Sequence, residues 1–154
     1  MTTVFVFNGP NLNLLGVRRP DVYGTTVLAD VEALCGDECA RHGVELDFRQ
    51  TNHEGVLVDW IQEAGAAVKA GTALGAVLNA AAYTHTSVAL HDAIEGADLP
   101  TVEVHVSNVH GREAFRHHSY VSPVAAGIVV GFGVTGYALA IDGLVRLRRP
   151  TRSV

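Results

Sequence analysis

Lysine is almost missing: Lys69 is the only one in 154 residues. An enzyme that works through an imine needs an amine held out of water. Lys69 lies late in the amphipathic run AAVKAG, where a solvated ammonium is expected, so Schiff-base chemistry is excluded. The two cysteines, Cys35 and Cys39, sit four apart in one helical pattern with no second pair. That suits a reduced intracellular chain and not a disulfide framework. Basic character is scarce apart from RLRRPTR, and a net charge of −5 with a pI of about 5.8 argues against a nucleic-acid partner. The basic tail, about 146–154, reads as a solvated helix end. The first residues, MTTVFVFNG, lack a basic n-region, so no signal peptide is read and a cytoplasmic location is expected. One uncharged run, Ser122 to Ile141, nearly reaches membrane-spanning length. Gly127, Gly131, Gly133 and Gly136 break it into a buried strand, a turn and a helix, so no membrane partner is expected.

What is present is an alternation of apolar strands and alanine-rich helices. β-Branched or aromatic runs mark strands at 3–7, 44–50, 73–79, 100–107 and 126–130. Between them, Val27, Val31 and Leu34, with Leu28 and Cys35, make a helical stripe that Gly43 ends. VLVDWIQEAGAAVKAG and HTSVALHDAIEGA are read as helices, REAFRHH as a short polar helix, and a final helix runs to about Arg149. Five strands with short helical links predict an α/β domain, 1–154, built on a five-stranded parallel sheet with helices on both faces. Ligands in such sheets bind beyond the carboxyl ends of the strands, where strand order reverses. Asn8, Asn11, Gln50, Asn52, His53, Asn79, His105, Ser107 and Asn108 all fall there. Turn propensity explains part of that polarity, but not the histidines.

Several chemistries lack their motif. GFGVTG matches G-x-G-x-x-G, yet it follows the fifth strand and no later strand supplies the acidic residue of a dinucleotide site; close helix-to-strand packing is the better use of these glycines. There is no phosphate-binding loop, no G-x-S-x-G nucleophile elbow and, despite eight histidines, no H-E-x-x-H or Cys/His ligand set, so neither a metal nor another cofactor is expected. General acid–base chemistry by side chains remains. Tyr23 and His105 are the candidates: a phenol titrates near 10 and an imidazole near 6.5, and lowering a tyrosine to about 8 requires roughly 2.7 kcal/mol of preference for the phenolate. A guanidinium a few ångströms away can supply that, and Arg18 and Arg19 precede Tyr23 with Pro20 stiffening the segment. In EVHVS, Glu103 and His105 are two apart on a strand and therefore share a side, so the carboxylate can orient the imidazole.

The motifs NGPNLNLLG, RQTNHEG, LVDWI, THTSVAL, EVHVSNVH, REAFR, HSYVSP and GFGVTGY cover nearly the whole chain, which thereby resembles the type II 3-dehydroquinate dehydratases. The resemblance implies a flavodoxin-like domain that dehydrates 3-dehydroquinate to 3-dehydroshikimate, in the shikimate pathway or in quinate catabolism. It further implies a homo-oligomer, a dodecamer of trimers. Residue by residue, it implies Tyr23 as base, Arg18 as its activator, His105 as acid, Glu103 as the group orienting it, and Asn11 as holder of a water at the enolate oxygen. Asn79, His85, Arg116, Val106 and Ser107 would bind substrate, Asp92 would reach a neighbouring subunit's site, and Arg19 and Arg112 could lend support. The loop of about 9–24 would be a lid carrying the base. Three positions depart from the family pattern: Arg19 for Glu or Gln, Ala81 for glycine, and His91 for arginine. A positive φ at 81 would make its Cβ costly. Two other readings stay open, a flavodoxin-like module binding flavin or anionic metabolites, and a purely structural assembly protein.

Overall fold

The computed structural model describes residues 1–17, 21 and 25–149. Arg18, Arg19 and Tyr23, and the tail beyond Arg149, lie outside the described residues, as does much of the expected lid.

Five strands, β1 (Thr3–Asn8), β2 (Glu45–Gln50), β3 (Ala73–Asn79), β4 (Thr101–His105) and β5 (Gly127–Val130), form one parallel sheet in the order β2-β1-β3-β4-β5. Among the described residues, α1 (Leu28–Arg41), α2 (Glu54–Lys69) and α3 (Val88–Ala97) each join one strand to the next, and α4 (Thr135–Arg148) follows β5. The expected flavodoxin-like architecture is thus the observed one.

Strand β1 shows why the sheet is covered on both sides. Its side chains alternate, so Val4 and Val6 join α1 and α4 through Val31, Cys35, Tyr137, Ile141 and Leu144. Phe5 and Phe7 meet α2 and α3 through Leu57, Ile61, Leu90 and Ile94. A strand apolar on both faces is the mark of a buried parallel sheet. Cys35 and Cys39 are free thiols in the first layer, and burial pushes them up to about 12 and about 11, so they pack as apolar groups.

The uncharged run 122–141 divides as expected, into a 3₁₀ turn at Ser122–Val124, then β5, a turn and α4; no helix among the described residues is long and apolar enough to cross a membrane. The glycines of GFGVTG serve packing. Gly131 (φ 92°) and Gly133 (φ 63°) turn back so that their N–H groups bond the carbonyls of His105 and Val106, at 3.2 and 3.0 Å. Two differences from the sequence reading bear on the site. Strand β4 ends at His105 instead of 107, and REAFRHH forms no α-helix: it holds only the 3₁₀ turn Ala114–Arg116, separated from an earlier one, Val109–Gly111, by extended residues Arg112 and Glu113. Asn108 causes part of this, because its side chain accepts the His110 N–H and starts a turn.

Candidate active site

The strand order reverses between β1 and β3, where Asn8 and Asn79 are register partners at the carboxyl ends. They are joined by a side chain from the other end of the sequence. The hydroxyl of Tyr137 on α4 donates to Asn8 Oδ1 at 2.7 Å and accepts from Asn79 Nδ2 at 2.8 Å. Asn8 is fully buried and bonds the Arg49 carbonyl, so it is structural; Asn79 Oδ1 accepts the Ala81 N–H at 3.1 Å. An amide has two donor protons and two lone pairs, so Asn79 keeps one of each for a ligand.

Beyond this edge lies a cleft lined by Asn11, Asn79, His85, His105, Val106, Ser107, Arg112 and Arg116, together with Leu12, Leu15 and Ala81. The structure thus gathers eight of the sequence-predicted site residues in one cleft. Asp92 is not among them; it is exposed on α3. Asn11 sits at φ 68°, its N–H bonded to Asn52 Oδ1 at 3.0 Å, while Gln50 bonds both Asn52 and the Gly9 carbonyl. The amides after β2 therefore anchor the start of the loop after β1. The carbonyl of Val106 is engaged by Gly133, as noted above.

His105 Nε2 lies 2.7 Å from Oε2 of Glu103, and both side chains are buried. Burial alone would raise the Glu103 carboxyl, but His105 and the hydroxyls of Ser122 and Thr84 outweigh it, holding the carboxyl at about 2. His85 stacks near His105, ring centroids 6.3 Å apart, and its Nδ1 lies 2.8 Å from the His118 carbonyl. A carbonyl only accepts, so His85 Nδ1 carries the hydrogen and Nε2 is an acceptor in the neutral ring. Burial, with help from His105 and Arg116, pushes His85 below the ordinary imidazole range against the pull of that carbonyl. Arg116 Nε donates to Glu113 at 2.9 Å, with Arg112 3.6 Å from the same oxygen.

Reasoning from sequence missed Tyr137, Thr84, Ser119 and Ser122. The two serines stand in HSYVSP, where they look like turn residues, and nothing local ties them to Glu103. At the opposite edge of the sheet, Glu38, His42 and Asp142 bring potential ligand atoms within 4.8 Å of one another, but Arg41 and Arg146 pair with the two carboxylates.

An imidazole braced from behind by a buried carboxylate, at the mouth of a cleft that also holds arginines and half-satisfied amides, is reactive equipment; the protein class is an α/β enzyme of flavodoxin-like architecture. Sequence comparison narrows this further. The sequence model of the family described as dehydroquinase class II matches residues 2–145, and the chain belongs to that family. It is 64% identical over 145 residues to a protein of Variovorax paradoxus named 3-dehydroquinate dehydratase, covering 94% of this chain and 99% of that one. It is 58% identical over 153 residues to 3-dehydroquinate dehydratase 2 of Ralstonia nicotianae, covering 99% of each. Among solved structures, the type II dehydroquinase of Butyrivibrio crossotus superposes with a TM-score of 0.87 at 42% identity, covering 93% of this chain and 97% of that one.

Proposed function

We propose that this enzyme removes water from 3-dehydroquinate to give 3-dehydroshikimate, as a step of the shikimate pathway, by general acid–base elimination without metal or imine. The observation that carries this reading is the Glu103–His105 pair, 2.7 Å apart, at the cleft wall beside Arg112 and Arg116. The phenolate of Tyr23, stabilised by Arg18, takes the proton from the carbon beside the ketone. The electron pair passes to the ketone oxygen as an enolate, which a water held by Asn11 stabilises. The enolate then collapses, a carbon–carbon double bond forms, and the β-hydroxyl leaves as water with a proton from His105. The arginine side chains suit the substrate carboxylate, and Asn79, His85, Val106 and Ser107 suit its hydroxyls.

Two features support Tyr23 as the base. The Tyr83 hydroxyl is spent on the Asn52 carbonyl at 2.7 Å, and burial pushes Tyr137 above the ordinary phenol range. In the same reading Asp92, exposed on α3, completes the site of a neighbouring copy in a dodecamer of trimers, and Arg19 and Arg112 support the charge balance.

The test is the rise in absorbance of the conjugated enone on mixing the protein with 3-dehydroquinate, repeated with chelator and with borohydride. Turnover should persist under both treatments and fall at least a hundredfold in Tyr23→Phe, the size expected for a lost general base. Abolition by chelator or borohydride would overturn the mechanism; retention of a flavin through purification, without turnover, would favour the binding-module reading.

A further inference from the structure

Glu103 receives more donors than a carboxyl needs merely to be buried. Oε2 accepts the Thr84 hydroxyl at 2.5 Å, the Ser119 hydroxyl at 2.8 Å and the His105 ring at 2.7 Å, and Oε1 accepts the Ser122 hydroxyl. Ser119 is the member whose direction can be deduced by counting. Its oxygen accepts the backbone N–H of Val121 at 3.1 Å and of Ser122 at 3.0 Å. A hydroxyl has two lone pairs and one proton. With both lone pairs facing groups that can only donate, its proton must point elsewhere. Two acceptors lie within reach of it, Thr84 Oγ1 at 2.9 Å and Glu103 Oε2 at 2.8 Å, and the charged carboxylate oxygen, both nearer and the stronger acceptor, takes it. A protonated Glu103 would turn one carboxyl oxygen into a donor and give up one of the four bonds it accepts, so the arrangement favours the anion. An anion requires a donor in return, so His105 Nε2 carries a hydrogen and Nδ1 is the ring nitrogen left for the cleft.

We propose that Ser119, with Thr84 and Ser122, is a positioning residue: it holds Glu103 as an anion aimed at His105 Nε2, locks the Nε2–H tautomer, and makes Nδ1 the atom that delivers the proton to the departing hydroxyl. In that step the Nδ1–H bond of the imidazolium breaks, the proton leaves in the product water, and a neutral ring with hydrogen on Nε2 remains. The proton collected by Tyr23 balances it and returns to the ring through solvent. The catalytic use of Nδ1 rests on the reaction proposed above; the tautomer lock does not.

Nitrogen-15 NMR of histidine-labelled protein, at a pH where the ring is neutral, reads the tautomer directly and needs no substrate. Wild type should show His105 with Nε2 protonated and Nδ1 bare, and Ser119→Ala should gain the Nδ1–H form. Loss of one hydrogen bond to a charged group predicts a fall of about tenfold or more in kcat, with KM changed much less, and Ser119→Thr should restore both signals. Thr84→Val, which keeps volume, repeats the test should Ser119→Ala fold poorly, and its control is Thr84→Ser. Hydrogen on Nδ1 in wild type, or an unchanged tautomer and kcat in both hydroxyl-deleted variants, would overturn the proposal. A tautomer that responds as expected in a protein inert toward 3-dehydroquinate would retain the lock and discard its catalytic role, separating the two claims.

Discussion

Ala81 adopts φ 51°, in the left-handed region, directly after Asn79 has turned its side-chain oxygen onto the Ala81 N–H. A Cβ there costs about 1–2 kcal/mol, while glycine returns about 0.5–1 kcal/mol of that through its freer unfolded chain. Ala81→Gly should therefore stabilise the protein by about 0.5 kcal/mol, seen as a higher urea midpoint at unchanged slope; a lower midpoint would refute the argument. The strain was foreseeable from the family resemblance, which implies glycine at this position. Glu103 makes the second prediction at this scale. Its carboxyl is held at about 2 in the fold against 4.5 ordinarily, so its contribution is fully present above pH 4.5 and is lost as pH falls toward 2. The difference corresponds to about 3 kcal/mol. Urea unfolding followed between those pH values should show a steep acid loss in wild type and a shallower one in Glu103→Gln. Parallel curves would remove Glu103 from acid denaturation. At this scale the sequence showed Glu103 and His105 as one pair, because strand spacing puts i and i+2 on one side. It could not show Ser119, 16 residues away, because only the fold carries that turn over the carboxylate.

Helices α2 and α3 approach so closely that a Cβ on Gly65 would lie 2.6 Å from the Ala97 carbonyl oxygen and 2.7 Å from its Cβ. In an isolated helix alanine is better than glycine by about 1 kcal/mol. Here overpacking decides, at about 1–3 kcal/mol, so Gly65→Ala should lower the urea midpoint; a rise would mean that the two helices part freely. Elements with strong periodicity were readable in the chain: β3 falls where ALGAVLN predicts, while α3 begins at Val88, inside the run HTSVALHDAIEGA and not at its start, because the Ser87 hydroxyl accepts the Leu90 N–H. REAFRHH was misread because charged residues at helical spacing resemble a solvated helix, whereas it makes one local turn, with the Arg116 and His117 N–H groups on the Glu113 and Ala114 carbonyls, and its last carbonyl, that of His118, is taken by the distant His85 ring. His91, where the resemblance implies arginine, is used within the chain, with Nδ1 2.8 Å from the Tyr120 carbonyl and Nε2 3.3 Å from Glu95.

Across the whole molecule, the parallel sheet delivers all strand ends to one edge, and Tyr137 ties the first and third of them together from α4. Tyr137→Phe leaves buried amide groups of Asn8 and Asn79 without their partner, which should cost about 1–3 kcal/mol of stability. Because Asn79 also lines the cleft, KM for 3-dehydroquinate should rise together with that loss; a rise in KM without destabilisation, or the reverse, would separate the two roles assigned to the hydroxyl. The Tyr137 arrangement also bears on how the enzyme comes into being on the ribosome. All five strands emerge before α4 does, yet the two asparagines at the reversal point stay unlatched until that helix docks. Ligand affinity should therefore arrive late in synthesis, as a single event, well after most of the sheet has had the chance to form.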